Sequence, residues 1–139
     1  MRTDVYIEVS SMAPKKSIKR YGYVLTAEGF TATRERFQKF VGSYHETSLQ
    51  AVLDALNRFK DGKRCEICIH LQDEYIKSAY ENYLKGWQQN GYISKKGTPI
   101  SDREKWRRIW EISQKHLIWF ETGRNEFTDW ILREIERRK

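Results

Sequence analysis

The feature that most limits what this chain can fold into is a change of hydrophobic period partway along it. From Asp4 to Val9, Val5, Ile7 and Val9 alternate with Tyr6 and Glu8, the signature of a half-buried strand. After a polar loop around Ser11 to Ser17, Tyr21-Gly-Tyr-Val-Leu-Thr26 predicts a second strand, Glu28-Gly29 a turn, and Phe30 to Val41 a third strand. Three strands joined by short turns make an antiparallel meander. The period then becomes helical: Leu49, Val52, Leu53, Leu56 and Phe59 follow a capping box at Thr47-Ser-Leu-Gln50 and stop at Asp61-Gly62. Cys65 to Leu71 reads as the next strand. Asp73 to Asn90 reads as a helix with Ile76, Ala79, Tyr80, Tyr83, Leu84 and Trp87 on one stripe, closed by Gly91. Ile93 to Ile100 is a polar loop, and a second capping box, Ser101-Asp-Arg-Glu104, opens a helix carrying Trp106, Ile109 and Trp110. Leu117 to Thr122 is a short strand, and Thr128 to Arg138 a closing helix with Trp130, Ile131 and Ile135. The order β-β-β-α-β-α-α-β-α predicts an α/β fold. Its five-stranded mixed sheet has an antiparallel meander, then parallel strands, with helices on both faces.

The 139 residues suffice for one cored domain spanning 1–139. No apolar run approaches the roughly 18 residues of a membrane span. The opening Met1-Arg-Thr-Asp-Val lacks the apolar segment of a secretory signal, so a cytoplasmic location is expected and no membrane partner. Cys65 and Cys68 have C-x-x-C spacing but fall on an alternating strand, which points the two thiols to opposite faces. With no second cysteine pair, they read as ordinary strand cysteines.

The formal net charge is +7. Between Lys77 and Arg108 eight basic residues stand against Glu81, Asp102 and Glu104, interleaved with Tyr80, Tyr83, Trp87, Tyr92 and Trp106. Basic charge among aromatic rings fits a nucleic-acid footprint. It equally fits a solvated helix face with core aromatics behind it.

The residues from Ser48 to His116 add a specific likeness. Ser48-Leu-Gln-Ala-Val-Leu-Asp-Ala-Leu56, Ile69-His-Leu-Gln-Asp-Glu-Tyr-Ile76, and Trp87-Gln-Gln-Asn-Gly-Tyr92 followed by Lys95-Lys96, Pro99 and Trp106-Arg-Arg108 run in order without a gap. Gly22 after Tyr21, and Asn125-Glu126 with Asp129, flank them. Together these segments resemble the ribonuclease H family, in its bacterial type with a basic protrusion, and the likeness reaches essentially the whole chain.

The resemblance implies a fold, a chemistry and a loss. Four carboxylates in this family hold two Mg²⁺ ions, one activating water and one stabilising the leaving oxygen. Carried over by position, they become Val9, Ser48, Gln72 and Asp129, of which only Asp129 retains a carboxylate. Glu8, Glu46 and Asp73 lie next to lost positions. Glu8 is expected to point away from the face of Val9, while Asp73 and Glu46 remain open as parts of a remodelled metal site with Asp129 and Glu8. The family's catalytic-histidine loop is missing, since Gly123-Arg-Asn-Glu126 runs almost directly into the last helix. His116 resembles a non-catalytic histidine, and His45 and His70 show no carboxylate partner in sequence.

The residues that read the RNA strand are only partly kept: Ser43-Tyr44-His45 and Gly86 replace polar family residues, while the protrusion keeps its basic and aromatic character. The expected nucleic-acid contacts are Lys85, Trp87, Tyr92, Lys95, Lys96 and Trp106, with packing as the other role for Trp87 and Trp106. The resemblance thus implies an inactive domain that binds an RNA–DNA hybrid or another duplex and needs no cofactor. Two alternatives stay open. One is an active ribonuclease H-type endonuclease using Mg²⁺ or Mn²⁺ at a remodelled site, and the other is a protein-interaction scaffold.

Overall fold

The computed structural model describes residues 1–60 and 62–139; Asp61, at the predicted stop of the first helix, lies outside the described residues. Five strands form one sheet in the order β3-β2-β1-β4-β5. They are β1 (Arg2–Val9), β2 (Ser17–Ala27), β3 (Arg34–Gly42), β4 (Glu66–Leu71) and β5 (Leu117–Thr122). β1–β2 and β2–β3 are antiparallel, while β1–β4 and β4–β5 are parallel. The predicted meander and its switch to parallel pairing are both present.

The helices are α1 (Tyr44–Leu56), α2 (Glu74–Ser78), α3 (Leu84–Gln89), α4 (Arg103–Ser113) and α5 (Thr128–Arg137). Side chains of α1, α2, α3 and α4 pack on the sheet face of Val5, Ile7, Ile67, Ile69, Ile118 and Phe120, with Leu49, Val52, Ile76, Leu84, Trp106 and Ile109 in the layer. α5 covers the other face, setting Ile131 and Ile135 against Tyr6 and Val24. Gly22 permits that contact. A Cβ there would lie 2.5 Å from the Phe37 ring and 3.1 Å from Ile131 Cγ2, so only a glycine lets both sit over β2.

Several local boundaries differ from the sequence expectations. α1 starts one turn earlier: Ser43 Oγ accepts the Glu46 N–H and the Glu46 carboxylate accepts the Ser43 N–H, so the capping box is Ser43–Glu46. Thr47 lies inside the helix and its hydroxyl bonds back to the Ser43 carbonyl. α4 has no capping box. Its N-cap, Asp102, takes a left-handed φ of 58° and its side chain makes no capping bond. β3 begins at Arg34 rather than Phe30, because Arg34 is the first residue with a partner on β2. The predicted helix over 73–90 is interrupted by a π-helical turn, Ala79–Tyr83. The wide turn puts the buried Ala79 and Leu84 five residues apart and turns Tyr83, on the expected apolar stripe, out to solvent.

β2 begins at Ser17 rather than Tyr21, and a buried lysine explains the extension. Lys19, 1% exposed, donates from Nζ to the Lys15 carbonyl at 2.7 Å, Ser17 Oγ at 2.9 Å and the Gly42 carbonyl at 2.7 Å. A buried ammonium is tolerated only when its protons are met, and here three oxygens meet them.

Candidate functional site

Parallel pairing brings the C-terminal ends of β1 and β4 together beside the start of α5. Asp4, Tyr6 and Glu8 of β1 share the α5 face, as do Cys68 and His70, their partners in register on β4. Glu8 therefore turns away from Val9, as strand alternation requires. It nevertheless meets one of the expected carboxylate positions: Gln72 Nε2 donates to Glu8 Oε2 at 3.1 Å and to the Gly123 carbonyl at 2.9 Å. Thr128 Oγ1 donates to the same Glu8 oxygen at 2.8 Å. At 3% exposure, burial pushes the Glu8 carboxyl up, and the bonds from Thr128 and Gln72 pull it only partly back.

Val9, Ser48 and Gln72 line one small cavity with Glu8, and of the four expected positions Asp129 alone lies apart from it. Val9 packs at the edge of the α1-side core. Ser48 is buried in α1, in a cavity of about 10 Å³ shared with Glu8, Tyr44 and Gln72, room for one water at most. Asp129 is exposed in the first turn of α5 and pairs with Arg124. The acids held open for a remodelled site have separate duties. Glu46 belongs to the α1 capping box, and the backbone N–H of Ser43 holds its carboxyl below the usual range. Asp73 caps α2, accepting from the N–H groups of Tyr75 and Ile76.

Two histidines that lack a partner in sequence have one in space. His45 Nδ1 lies 2.6 Å from Asp73 Oδ2, with the Tyr75 ring 4.6 Å away. His70 Nε2 lies 2.8 Å from Asp4 Oδ1. Sequence reasoning missed the second pair because its members are 66 residues apart. Only the parallel register of β1 on β4 joins them.

The basic segment is built differently. Ile93 and Pro99 form a bridge, Gly97 N–H bonds the Ser94 carbonyl, and Lys95 and Lys96 occupy the two central positions of the resulting turn. Both are exposed, as is Lys85 on α3. The other basic residues of the segment lie within 4.0 Å of a carboxylate: Lys77 of Glu81, Arg103 and Arg107 of Glu104, Lys105 of Asp102, Arg108 of Glu111. Among the described residues Lys85, Lys95 and Lys96 have no such partner.

Tyr92 closes the base of this loop, its carbonyl accepting the Ile100 N–H and its N–H donating to the Trp87 carbonyl. Trp106 is 1% exposed and Tyr92 4%, which takes both out of reach of a ligand and corrects the expectation that they contact nucleic acid. Trp87 is half-buried, edge-on to Trp106 at 5.7 Å and stacked on Tyr83 at 6.0 Å. Arg107 lies over the Tyr92 ring at 5.1 Å. β5 and α5 are joined by residues 123–127. Among the described residues no helix is long and apolar enough to cross a membrane.

No protein-family model matches the chain. Over 70 residues it is 29% identical to a ribonuclease HI of Xylella fastidiosa (strain Temecula1 / ATCC 700964), a match covering 50% of this chain and 45% of that protein. The chain thus spans about half the length of the curated relatives it matches. Of the solved structures, LC9-RNase H1, a type 1 RNase H with the type 2 active-site motif, has a TM-score of 0.74 at 15% identity, covering 99% of this chain and 69% of that one. A foamy viral protease-reverse transcriptase in complex with RNA/DNA hybrid has a TM-score of 0.67 at 16% identity, covering 99% of this chain and 20% of that one.

Proposed function

We propose that this chain, which has the ribonuclease H fold and is related in sequence to ribonucleases H, binds the phosphate backbone of an RNA–DNA hybrid or similar duplex without two-metal cleavage. The observation that carries the reading is the set of exposed, uncompensated lysines: Lys95 and Lys96 at the tip of a hydrogen-bonded turn and Lys85 on the neighbouring helix. An ammonium with no internal carboxylate is free to displace counterions from phosphates. Such contacts position a duplex without reading its sequence. The hybrid bound to the foamy viral structure makes this ligand class the first choice.

The strand-end cluster supports binding rather than cutting. Ribonucleases H use Mg²⁺, which requires several oxygen ligands in octahedral array at roughly 2.0–2.1 Å. Here Val9 offers no donor, Gln72 turns amide N–H toward Glu8, and Asp129 is paired outside with Arg124. Of the acids described, Glu8 is the one that lines the small cavity, and a hydroxyl and an amide already satisfy one of its oxygens. These donors do not fit a pair of magnesium ions.

The test is binding of a labelled hybrid across a salt series, with cleavage followed in Mg²⁺ and in Mn²⁺. Each lysine that meets a phosphate adds about 1 to the slope of log K against log salt, so Lys95→Ala/Lys96→Ala should lower the slope by about 2. Cleavage abolished by Asp129→Asn would overturn the reading in favour of a remodelled nuclease. Absence of salt-dependent binding would overturn it in favour of a protein-interaction module.

A further inference from the structure

The α5 face of the sheet carries a second polar cluster. It lies four residues before Glu8 on β1, about 13 Å along the strand. Asp4 of β1 sits in register with Cys68 of β4, and His70 of β4 with Glu121 of β5. Asp4, Cys68 and His70 each present a donor atom, a carboxylate oxygen, a thiol sulfur and a ring nitrogen, all within 4.8 Å of one another. Glu121 faces the other ring nitrogen, its Oε2 lying 3.7 Å from His70 Nδ1, while Nε2 meets Asp4. The site is half-walled: Cys68 is buried, Asp4 and His70 are partly exposed, and Glu121 faces solvent.

We infer that this cluster is a zinc site, with Asp4, Cys68 and His70 as ligands, a solvent molecule completing the tetrahedron, and Glu121 facing the outer Nδ1 of His70. Mixed sulfur, nitrogen and carboxylate donors suit Zn²⁺ better than Mg²⁺ or Ca²⁺, which require oxygen alone. Tetrahedral zinc at 2.0–2.3 Å separates its ligand atoms by roughly 3.3–3.8 Å. The cluster's donor atoms, within 4.8 Å of one another, would close to that spacing by side-chain rotation, their Cα positions being fixed on the adjacent, hydrogen-bonded β1 and β4. Tyr6 stacks on the His70 ring at 4.4 Å and holds its plane.

Metal-free, the cluster is balanced by a cation of the chain itself. Arg2 bonds Asp4 at 3.1 Å and lies over the Trp119 ring at 5.2 Å, so its guanidinium spans the strand that carries Cys68. A thiol gives up its proton on binding a metal. Zinc entry therefore releases the thiol proton to solvent, forms a Zn–S bond, and frees Arg2 to swing into water. The cluster has no part in the C-x-x-C spacing, since Cys65 points to the other face.

The experiment is a titration of the untagged full chain with Co²⁺, followed by Zn²⁺ competition. One equivalent of cobalt should produce the visible bands of a tetrahedral ion together with a near-ultraviolet thiolate-to-cobalt band, and zinc should bleach both. Cys68→Ser should remove the thiolate band and weaken zinc at least about tenfold, while Cys65→Ser should leave the spectrum intact. If Cys68→Ser fails to fold, Asp4→Asn and His70→Gln read the same site through cobalt geometry and zinc affinity. An octahedral cobalt spectrum, a thiolate band that survives Cys68→Ser, or one lost in Cys65→Ser would overturn the assignment.

Discussion

The strand-end cluster and the lysine turn handle charge in opposite ways. At the strand ends every acid has a protein partner: Glu8 takes Thr128 and Gln72, Asp129 takes Arg124, Asp73 takes His45 and the α2 backbone, and Glu46 closes a capping box. At the turn Lys95 and Lys96 have no carboxylate partner among the described residues, and the order lies in the backbone bonds at the base of the loop. Charge already met inside the protein is poorly placed to hold a ligand. Charge left open costs little in water and waits for a partner. Residue types alone do not separate these cases; partners do.

Four variants sharpen or break this comparison. Trp106→Ala removes a fully buried indole edge-on to Trp87, whose carbonyl takes the Tyr92 N–H, and should cost about 3–5 kcal/mol in urea unfolding, with hybrid binding falling as well. A loss under about 1 kcal/mol would mean that the base of the loop does not depend on this packing. Thr128→Val keeps shape but withdraws a donor from buried Glu8 and an acceptor from the Asn125 N–H, and should cost about 1–3 kcal/mol.

Its companion, Glu8→Gln, keeps an acceptor for Thr128 and should fold with nearly unchanged stability at acid pH. Because burial raises the folded carboxyl above its usual 4.5, the wild-type chain loses stability as pH climbs from that value through the folded one. Thermal melts across pH should show that decline in the wild type and its absence in Glu8→Gln; the same decline in both would remove the internal charge from the account. The smallest effect belongs to Lys95→Ala/Lys96→Ala, whose stability should stay within about 0.5 kcal/mol of wild type while its salt slope changes.

Much of the fold was legible because it rests on local periodicity. The alternation of β1, the apolar stripe of α1 and the glycine after Asn90 each belong to a few neighbouring residues. What was not legible depended on pairing across the chain. Strand alternation correctly separates Glu8 from Val9, yet whether Glu8 faces Gln72 depends on β1 lying parallel to β4. The contact between His70 and Asp4 needs the same register. The π-helical turn is hidden because Tyr83 fits an ideal helical stripe; only packing shows that Ala79 and Leu84 are the inward pair. The capping box was misplaced by one turn because Thr47 and Gln50 satisfy the same pattern as Ser43 and Glu46. The aromatic set at the protrusion was legible as a group, but its division into buried Trp106 and Tyr92 against half-buried Trp87 was not.

Lys19 gives the chain something that mineral ions provide to many loops. Its ammonium gathers two carbonyl oxygens and a hydroxyl, from Lys15, Gly42 and Ser17, into one small coordination sphere. That sphere ties the β1–β2 loop to the junction between β3 and α1, the same junction where Ser43 starts the helix. Because this cation is covalently part of β2, it cannot be chelated, exchanged or diluted away. The geometry of the loop beside the strand ends is therefore independent of the ionic composition of the surroundings, even where the affinity of the lysine turn is governed by it.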